Sequence, residues 1–257
     1  MSGRHAVRFL GTGTSHGVPM IGCRCATCRS TDPRDRRSRP SILFELAGGA
    51  RVLVDTTPDL RAQALAHDLD RVDAILFTHC HADHVMGLDD VRRFNVLQQA
   101  AIPCYGDARS LGELRRSFAY IFDGADEGGG LPRITLNPID GPLEIGGETF
   151  VPVPVWHGRR QIVGYRFRDF AYLTDCSGIP DQSWPLLDGV DTLAIDALRH
   201  RPHPTHFTVD EAIAASARLG PRRTFLTHIC HDLPHEATNA SLPPGVELAY
   251  DGLCIEI

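Results

Sequence analysis

The sequence predicts an α/β protein in which two facing β-sheets are sheathed by helices. Three observations carry that expectation. β-rich runs gather in two halves of the chain, helix-like stretches lie between them, and several short apolar runs end abruptly in histidine or aspartate. With 257 residues the chain can bury a full core. One domain over residues 1–257 is expected, carrying a Cys-rich loop at about 22–40.

The elements follow in order. Residues 7–11 read as a first strand, followed by the small-residue loop Thr12-Gly13-Thr14-Ser15-His16-Gly17. Residues 41–46 and 51–55 are β-rich and joined by Ala47-Gly48-Gly49-Ala50, a hairpin signature. Residues 58–67 look helical, and 74–78 form a strand. Helix-like segments fill 88–122, broken at Pro103 and Gly106, and the acidic, Gly-rich stretch 123–130 is the expected mobile loop. From 143 onward β runs dominate: 143–145, 150–155, 162–167, 170–174 and 192–196. Residues 208–219 are a helix with a capping box, Thr208 as N-cap and Glu211 three residues on. A strand at 224–227 and a terminal hairpin at 247–257, turning at Asp251-Gly252, complete the set.

Composition narrows the function classes. Hydrophobic content of 42% with 23% charged residues is that of a soluble globular protein. The segment Met1 to Arg8 lacks the apolar core of a signal peptide, and no apolar stretch reaches the roughly 18 residues of a membrane span. A cytoplasmic location and no membrane partner are therefore expected. There, eight cysteines read as metal ligands and buried thiols rather than disulfides. All 26 basic residues are arginine, which excludes a catalytic lysine. A net charge of −6 argues against a nucleic-acid partner. Arg29, Arg34, Arg36, Arg37 and Arg39 form one local basic run, either a solvated loop or an anion-attracting rim.

The chemistry concentrates where the 74–78 strand ends, in His79-Cys80-His81-Ala82-Asp83-His84. Imidazoles and carboxylates this crowded need a cation. His79 and His81, two apart in extended chain, converge on one ion, while Asp83 and His84 face a second. Other strand ends supply further donors: His157 after 150–156, Asp175 after 170–174, and His228 after 224–227. A carboxylate such as Asp175 can bridge two ions roughly 3.5–4 Å apart. Separately, Cys23, Cys25 and Cys28 pack three thiols into six residues, a density that selects zinc. A fourth ligand is supplied by His231 or, as the competing choice, Cys230.

This pattern resembles the metallo-β-lactamase-fold hydrolases: Asp, then His-x-His-x-Asp-His, then His, Asp and His at successive strand ends, with Asp55 matching the first element as a buried residue that is not a ligand. The resemblance implies an αβ/βα sandwich of two mixed sheets flanked by helices. It implies one metal on His79, His81 and His157, the other on Asp83, His84 and His228, and Asp175 between them. The Gly-Thr-Gly loop, the Cys-x-Cys-x-x-Cys group and Thr227-His228-Ile229-Cys230-His231 together resemble the cyclic-phosphate phosphodiesterase branch, the PhnP-like proteins. That likeness implies a structural zinc on Cys23, Cys25, Cys28 and His231. The catalytic pair is expected to be Mn or Zn, with Fe as a third option.

The same branch implies Asp83 and His206 as catalytic residues, His206 being the non-ligand histidine that protonates the leaving oxygen. His200 and His203 share its loop and stay open for that role. Asp196 either orients such a histidine or merely ends its strand. His5, His16, His67 and His235 are expected at the surface or in turns, and Arg92-Arg93-Phe94-Asn95 has no assigned role. The expected activity is metal-dependent hydrolysis of a small cyclic phosphodiester of a phosphorylated sugar, such as 5-phosphoribosyl 1,2-cyclic phosphate. A tRNA 3′-processing-type endonuclease and a PqqB-like cofactor-biosynthesis protein are the alternatives, and a homodimer is left open.

Overall fold

A computed structural model of the chain describes residues 4–123 and 130–257. Most of the stretch expected to be mobile, residues 124–129, lies outside the described residues. The first sheet contains β1 (Ala6–Gly11), β2 (Ser41–Glu45), β3 (Arg51–Val54), β4 (Ala74–Leu76), β5 (Ile102–Gly106) and β6 (Ile134–Pro138). The second contains β7 (Leu143–Ile145), β8 (Glu148–His157), β9 (Arg160–Phe167), β10 (Phe170–Leu173), β11 (Thr192–Asp196), β12 (Arg223–Thr227) and β13 (Val246–Leu248). The last strand, β14 (Cys254–Glu256), returns to the edge of the first sheet beside β1.

Both sheets are mixed. β14-β1-β2-β3 and β7-β8-β9-β10 pair antiparallel, whereas β3-β4-β5-β6 and β10-β11-β12-β13 pair parallel. Side chains alternate faces along a strand, so each sheet feeds two cores. In β2, Ile42 and Phe44 enter the core between the sheets, while Leu43 enters the one beneath the helices of the first half. Phe44 meets Phe150, Phe167 and Phe170 edge to face, at ring-centroid distances of 5.2, 5.5 and 5.7 Å. A third core lies between the second sheet and the helix Val209–Leu219, through Leu193, Ile195, Val209 and Ala212. This is the predicted sandwich.

Two expectations are corrected. Residues 88–122 are not helical throughout, because Pro103 and Gly106 lie inside β5, a strand between β4 and β6. Gly106 packs closely there, since a Cβ would meet Leu111 at 3.2 Å and Phe77 at 3.4 Å. The stretch 247–257 is not a hairpin. β13 pairs with β12 and β14 with β1, so the Asp251-Gly252 turn carries the chain from one sheet to the other. Asp251 holds that crossing by accepting hydrogen bonds from the N–H and hydroxyl of both Thr12 and Ser38. Its burial pushes the carboxyl up to about 6.

Candidate metal centre

The strand ends of both sheets converge on one edge of the sandwich. Past β4 the chain bends at Thr78 and reaches His81, whose backbone is extended, before turning into the short helix Ala82–Val85. That change of conformation splits the motif, His79 and His81 preceding the helix and Asp83 and His84 lying within its turn. Asp55, Asp175 and His228, just past β3, β10 and β12, all adopt left-handed backbone, with φ of 64°, 53° and 58°. Such conformations cost of order 1–3 kcal/mol in residues with a side chain and cluster at functional sites.

Two donor groups result. His79, His81, His157 and Asp175 bring their donor atoms within 4.8 Å of one another, as do Asp83, His84, Asp175 and His228. Asp175 belongs to both and divides its oxygens between them. Its Oδ2 lies 3.9 Å from His79 Nε2, and its Oδ1 lies 3.0 Å from His84 Nε2 and 3.3 Å from His228 Nε2. A metal about 2.0–2.1 Å from each nitrogen needs donor atoms roughly 3.3 Å apart at tetrahedral geometry, within the spread seen here.

The residues fit such ions on a further ground. The Nε2 of His84 and both ring nitrogens of His228 are buried and make no aligned hydrogen bond among the described residues, although Asp175 Oδ1 lies within 3.3 Å of both Nε2 atoms. Buried polar atoms are seldom left so. Burial lowers the pKa of His84, but Asp175, Asp83 and Asp55 outweigh it and hold it well above the ordinary histidine value. Asp175, despite burial, is held well below the ordinary carboxylate range by His228 and His84. The carboxylates thus concentrate negative charge where cations would sit.

Partners outside the donor groups fix the rings. His84 Nδ1 donates to Asp55 Oδ2 at 2.7 Å, and Asp55 also accepts from the N–H and hydroxyl of Thr78. Asp55 therefore orients a ligand-type histidine from behind. His157 Nδ1 donates to the Thr205 carbonyl at 2.9 Å. Hydrogen bonds of this kind set ring orientation and tautomer.

Beside the second group, the ring of His206 stacks on His228 at 4.5 Å between centroids. Its Nδ1 lies 2.6 Å from Asp196 Oδ2, which also accepts from the Cys176 N–H. Burial raises Asp196 well above, and lowers His206 below, its ordinary value. Asp196 thus holds His206 by Nδ1, and Nε2 is the ring nitrogen outside that hydrogen bond. His203 packs on His206 at 5.0 Å, while His200 is exposed.

The second cluster forms as three free thiols and one imidazole. Cys23 and Cys25 Sγ each lie 3.3 Å from His231 Nδ1, and Cys28 completes the group. The Cys28 N–H donates to Cys25 Sγ and lowers that thiol to about 6, whereas burial pushes Cys28 up to about 11. Cys230 lies outside the group. Its buried thiol is pushed up to about 11, and its carbonyl accepts from Arg37.

Several residues differ from expectation. Arg37 is neither solvated nor a rim residue: it is 1% exposed and donates to the carbonyls of Cys230 and Leu233 and to Asp35. It braces the segment carrying His231, and nothing in a run of five arginines distinguishes it. Arg34 pairs with Asp32 and Glu236, and Arg39 with Asp59. Gly11 and Gly13 are needed for packing, since a Cβ would stand 2.0 Å from the Arg39 carbonyl and 2.7 Å from that of Arg37. His5 and His235 are buried rather than superficial. Asn95 joins its helix to the start of β6 by bonds with both main-chain groups of Arg133. Arg199, half-buried beside His206, escaped attention because it carries no motif.

A β-lactamase superfamily domain model matches residues 50–229. The solved structure of a diphosphatase from the PhnP family superposes with a TM-score of 0.93 at 46% identity, covering 99% of this chain and 98% of that one. The Zn2+-bound PqqB of Methylobacterium extorquens shares the fold, with a TM-score of 0.82 at 20% identity, covering 98% and 100% of the two chains. An octanoyltransferase of Porphyromonas gingivalis is 38% identical over 249 residues, 95% of this chain and 50% of that protein. The chain spans about half the length of that curated relative, and less of others. Fold and donor groups thus define a protein of the metallo-β-lactamase superfamily with two adjoining groups of metal-ligand side chains. The chain belongs to the PhnP family within that superfamily. Among the described residues, no helix is long and apolar enough to cross a membrane.

Proposed function

We propose that this chain is a phosphodiesterase that hydrolyses a small cyclic phosphodiester of a phosphorylated sugar, such as 5-phosphoribosyl 1,2-cyclic phosphate. The observation that carries the reading is the His206–Asp196 dyad, placed one ring away from two donor groups that share Asp175. His79, His81 and His157 would hold one cation, Asp83, His84 and His228 the other, with Asp175 bridging. When bound, two divalent cations lower the pKa of water and offset phosphoryl charge.

The chain's own groups supply the rest. Burial alone would raise Asp83, but His84 and His228 hold it well below the carboxylate range, so it stays ionised, which suits a ligand and a hydrogen-bond acceptor that orients the attacking water. Opening the cyclic phosphate breaks the bond from phosphorus to a sugar oxygen, and that oxygen leaves as a strongly basic alkoxide. His206 Nε2 delivers its proton, and Asp196 holds the other ring nitrogen. General acid catalysis of this kind contributes typically 10²–10⁴-fold. Cys23, Cys25, Cys28 and His231 would hold a structural zinc away from the reacting atoms.

The test changes the leaving group. His206→Ala should lose about 10²–10⁴-fold toward the cyclic sugar phosphate and little toward bis-nitrophenyl phosphate, whose leaving group needs no proton. Equal large losses on both, with metal content intact, would move the proton donor elsewhere. A second reading, hydrolysis of a diphosphate, is supported by the activity named for the PhnP-family neighbour. Turnover of a diphosphate ester in preference to the cyclic phosphate would select it.

A further inference from the structure

A recess of about 240 Å³ opens beside His206, between the loop Thr14 to Gly17 and the segment Leu198 to His206. We propose that it binds a second, non-reacting phosphate monoester of the substrate, with Arg199 as the specificity-determining residue. For the substrate class this deepens the phosphodiesterase reading and rests on it, but the binding site stands on its own geometry.

The recess is built for an anion. Arg199 is half-buried, and its guanidinium reaches only main-chain carbonyls, those of Arg201 at 3.3 Å and Pro202 at 3.5 Å. Among the described residues no carboxylate pairs with it. The recess does contain one acid, Asp232, but that side chain pairs with Arg201 at 3.1 Å. Across from Arg199, Thr14 and Gly17 close a tight turn through a 2.7 Å hydrogen bond, which places Ser15 and His16 at its centre. Neither of their N–H groups donates to another group among the described residues. Consecutive free N–H groups in a turn make an anion-binding concavity. His203 completes the wall, its Nδ1 taken up by Thr205.

Position fixes which phosphate this is. His206 is at once a wall of the recess and the ring stacked on His228, so the recess begins one imidazole away from the donor groups. A sugar ring whose cyclic phosphate lies at the metals can place a phosphate on its other end here. The turn is held in register with the site, because Thr14 donates to the Ile229 carbonyl immediately after His228. Arg199 is anchored likewise: its carbonyl accepts from Val209 in the first turn of the capped helix. A guanidinium matches a phosphate with two parallel N–H donors, and such charge-assisted bonds are the strong ones.

The metal-loaded protein decides the matter in two measurements. Steady-state rates are compared for 5-phosphoribosyl 1,2-cyclic phosphate and the same cyclic phosphate lacking the 5-phosphate, in the wild type, Arg199→Met and Arg199→Lys. Binding of ribose 5-phosphate to the same three proteins is followed by calorimetry. The wild type should show a KM at least 10-fold lower for the phosphorylated substrate, and Arg199→Met should abolish that preference with kcat nearly unchanged. Arg199→Lys should retain part of it, and ribose 5-phosphate affinity should fall in the same order. Turnover of both substrates with equal KM in the wild type overturns the subsite and keeps the reaction. Turnover of neither, with ribose 5-phosphate still bound through Arg199, overturns the reaction and keeps the subsite. Equal losses on both substrates in Arg199→Met, with metal content intact, would make Arg199 a structural residue and overturn the proposal.

Discussion

His235 shows how a single buried imidazole ties stability to pH. Asn239 Oδ1 accepts from the Leu248 N–H, which turns the Asn239 amide nitrogen toward His235 Nε2 at 2.9 Å. That ring nitrogen must accept, so the folded protein requires neutral His235. Burial, with the charges of Arg34 and Arg37, lowers it from 6.5 to about 4. For a depressed histidine the contribution to stability is fully present above 6.5 and is lost as pH falls toward 4, because only the unfolded chain takes up the proton. Denaturant titrations should show a loss of up to about 1.4 kcal/mol per pH unit across that window. His235→Phe should flatten this slope, and an unchanged slope would assign it to other groups. The sequence did not reveal the burial of His235, since a histidine after Leu-Pro reads as a turn residue. The donor residues of the metal centre were legible for the opposite reason: ligand types at strand ends have few structural uses, and a spacing of two places His79 and His81 together.

Elements were legible where local signals and tertiary pairing agree. The helix Val209–Leu219 is one: Thr208 accepts from the Glu211 N–H, Glu211 accepts from that of Thr208, and Gly220 ends the helix with φ of 74°. Thr208→Ala should cost about 0.5–2 kcal/mol of stability. Because Thr208 lies two residues past His206, kcat toward a cyclic phosphate should fall further than toward bis-nitrophenyl phosphate. Thermal denaturation and paired assays check this, and equal activity loss on both would mean that the cap does not position His206. β5 was illegible because Pro103 and Gly106 are breakers by local rule, whereas pairing with β4 and β6 decides the strand. The end of the chain misled for a related reason. An Asp-Gly turn between two β runs signals a hairpin, but pairing partners elsewhere decide whether the two strands share a sheet.

At the scale of the molecule, each donor group draws on both sheets: His79 and His81 come from the first, His157 and Asp175 from the second. Cations held there would clamp the halves together as well as serve the reaction. The purified protein should hold up to about three metal ions per chain, with mild chelation removing the pair at the strand ends before the one among the thiols. Elemental analysis of Cys25→Ser should show one zinc fewer. Undiminished zinc in that variant, or a disulfide between Cys23 and Cys28 in the native protein, would contradict the assignment.

The thiol group also sets an order of events during synthesis. Cys23 and His231 meet although 208 residues apart in sequence. At ribosomal rates of about 5–20 residues per second, His231 follows Cys23 by roughly 10–40 s. Throughout that interval the nascent chain presents three cysteines with their fourth partner not yet made, open to oxidants and to whatever thiophilic ion arrives first. The knob at the start of the protein is therefore among the last parts to close, and the first half of the chain waits on the final thirty residues before it can be sealed.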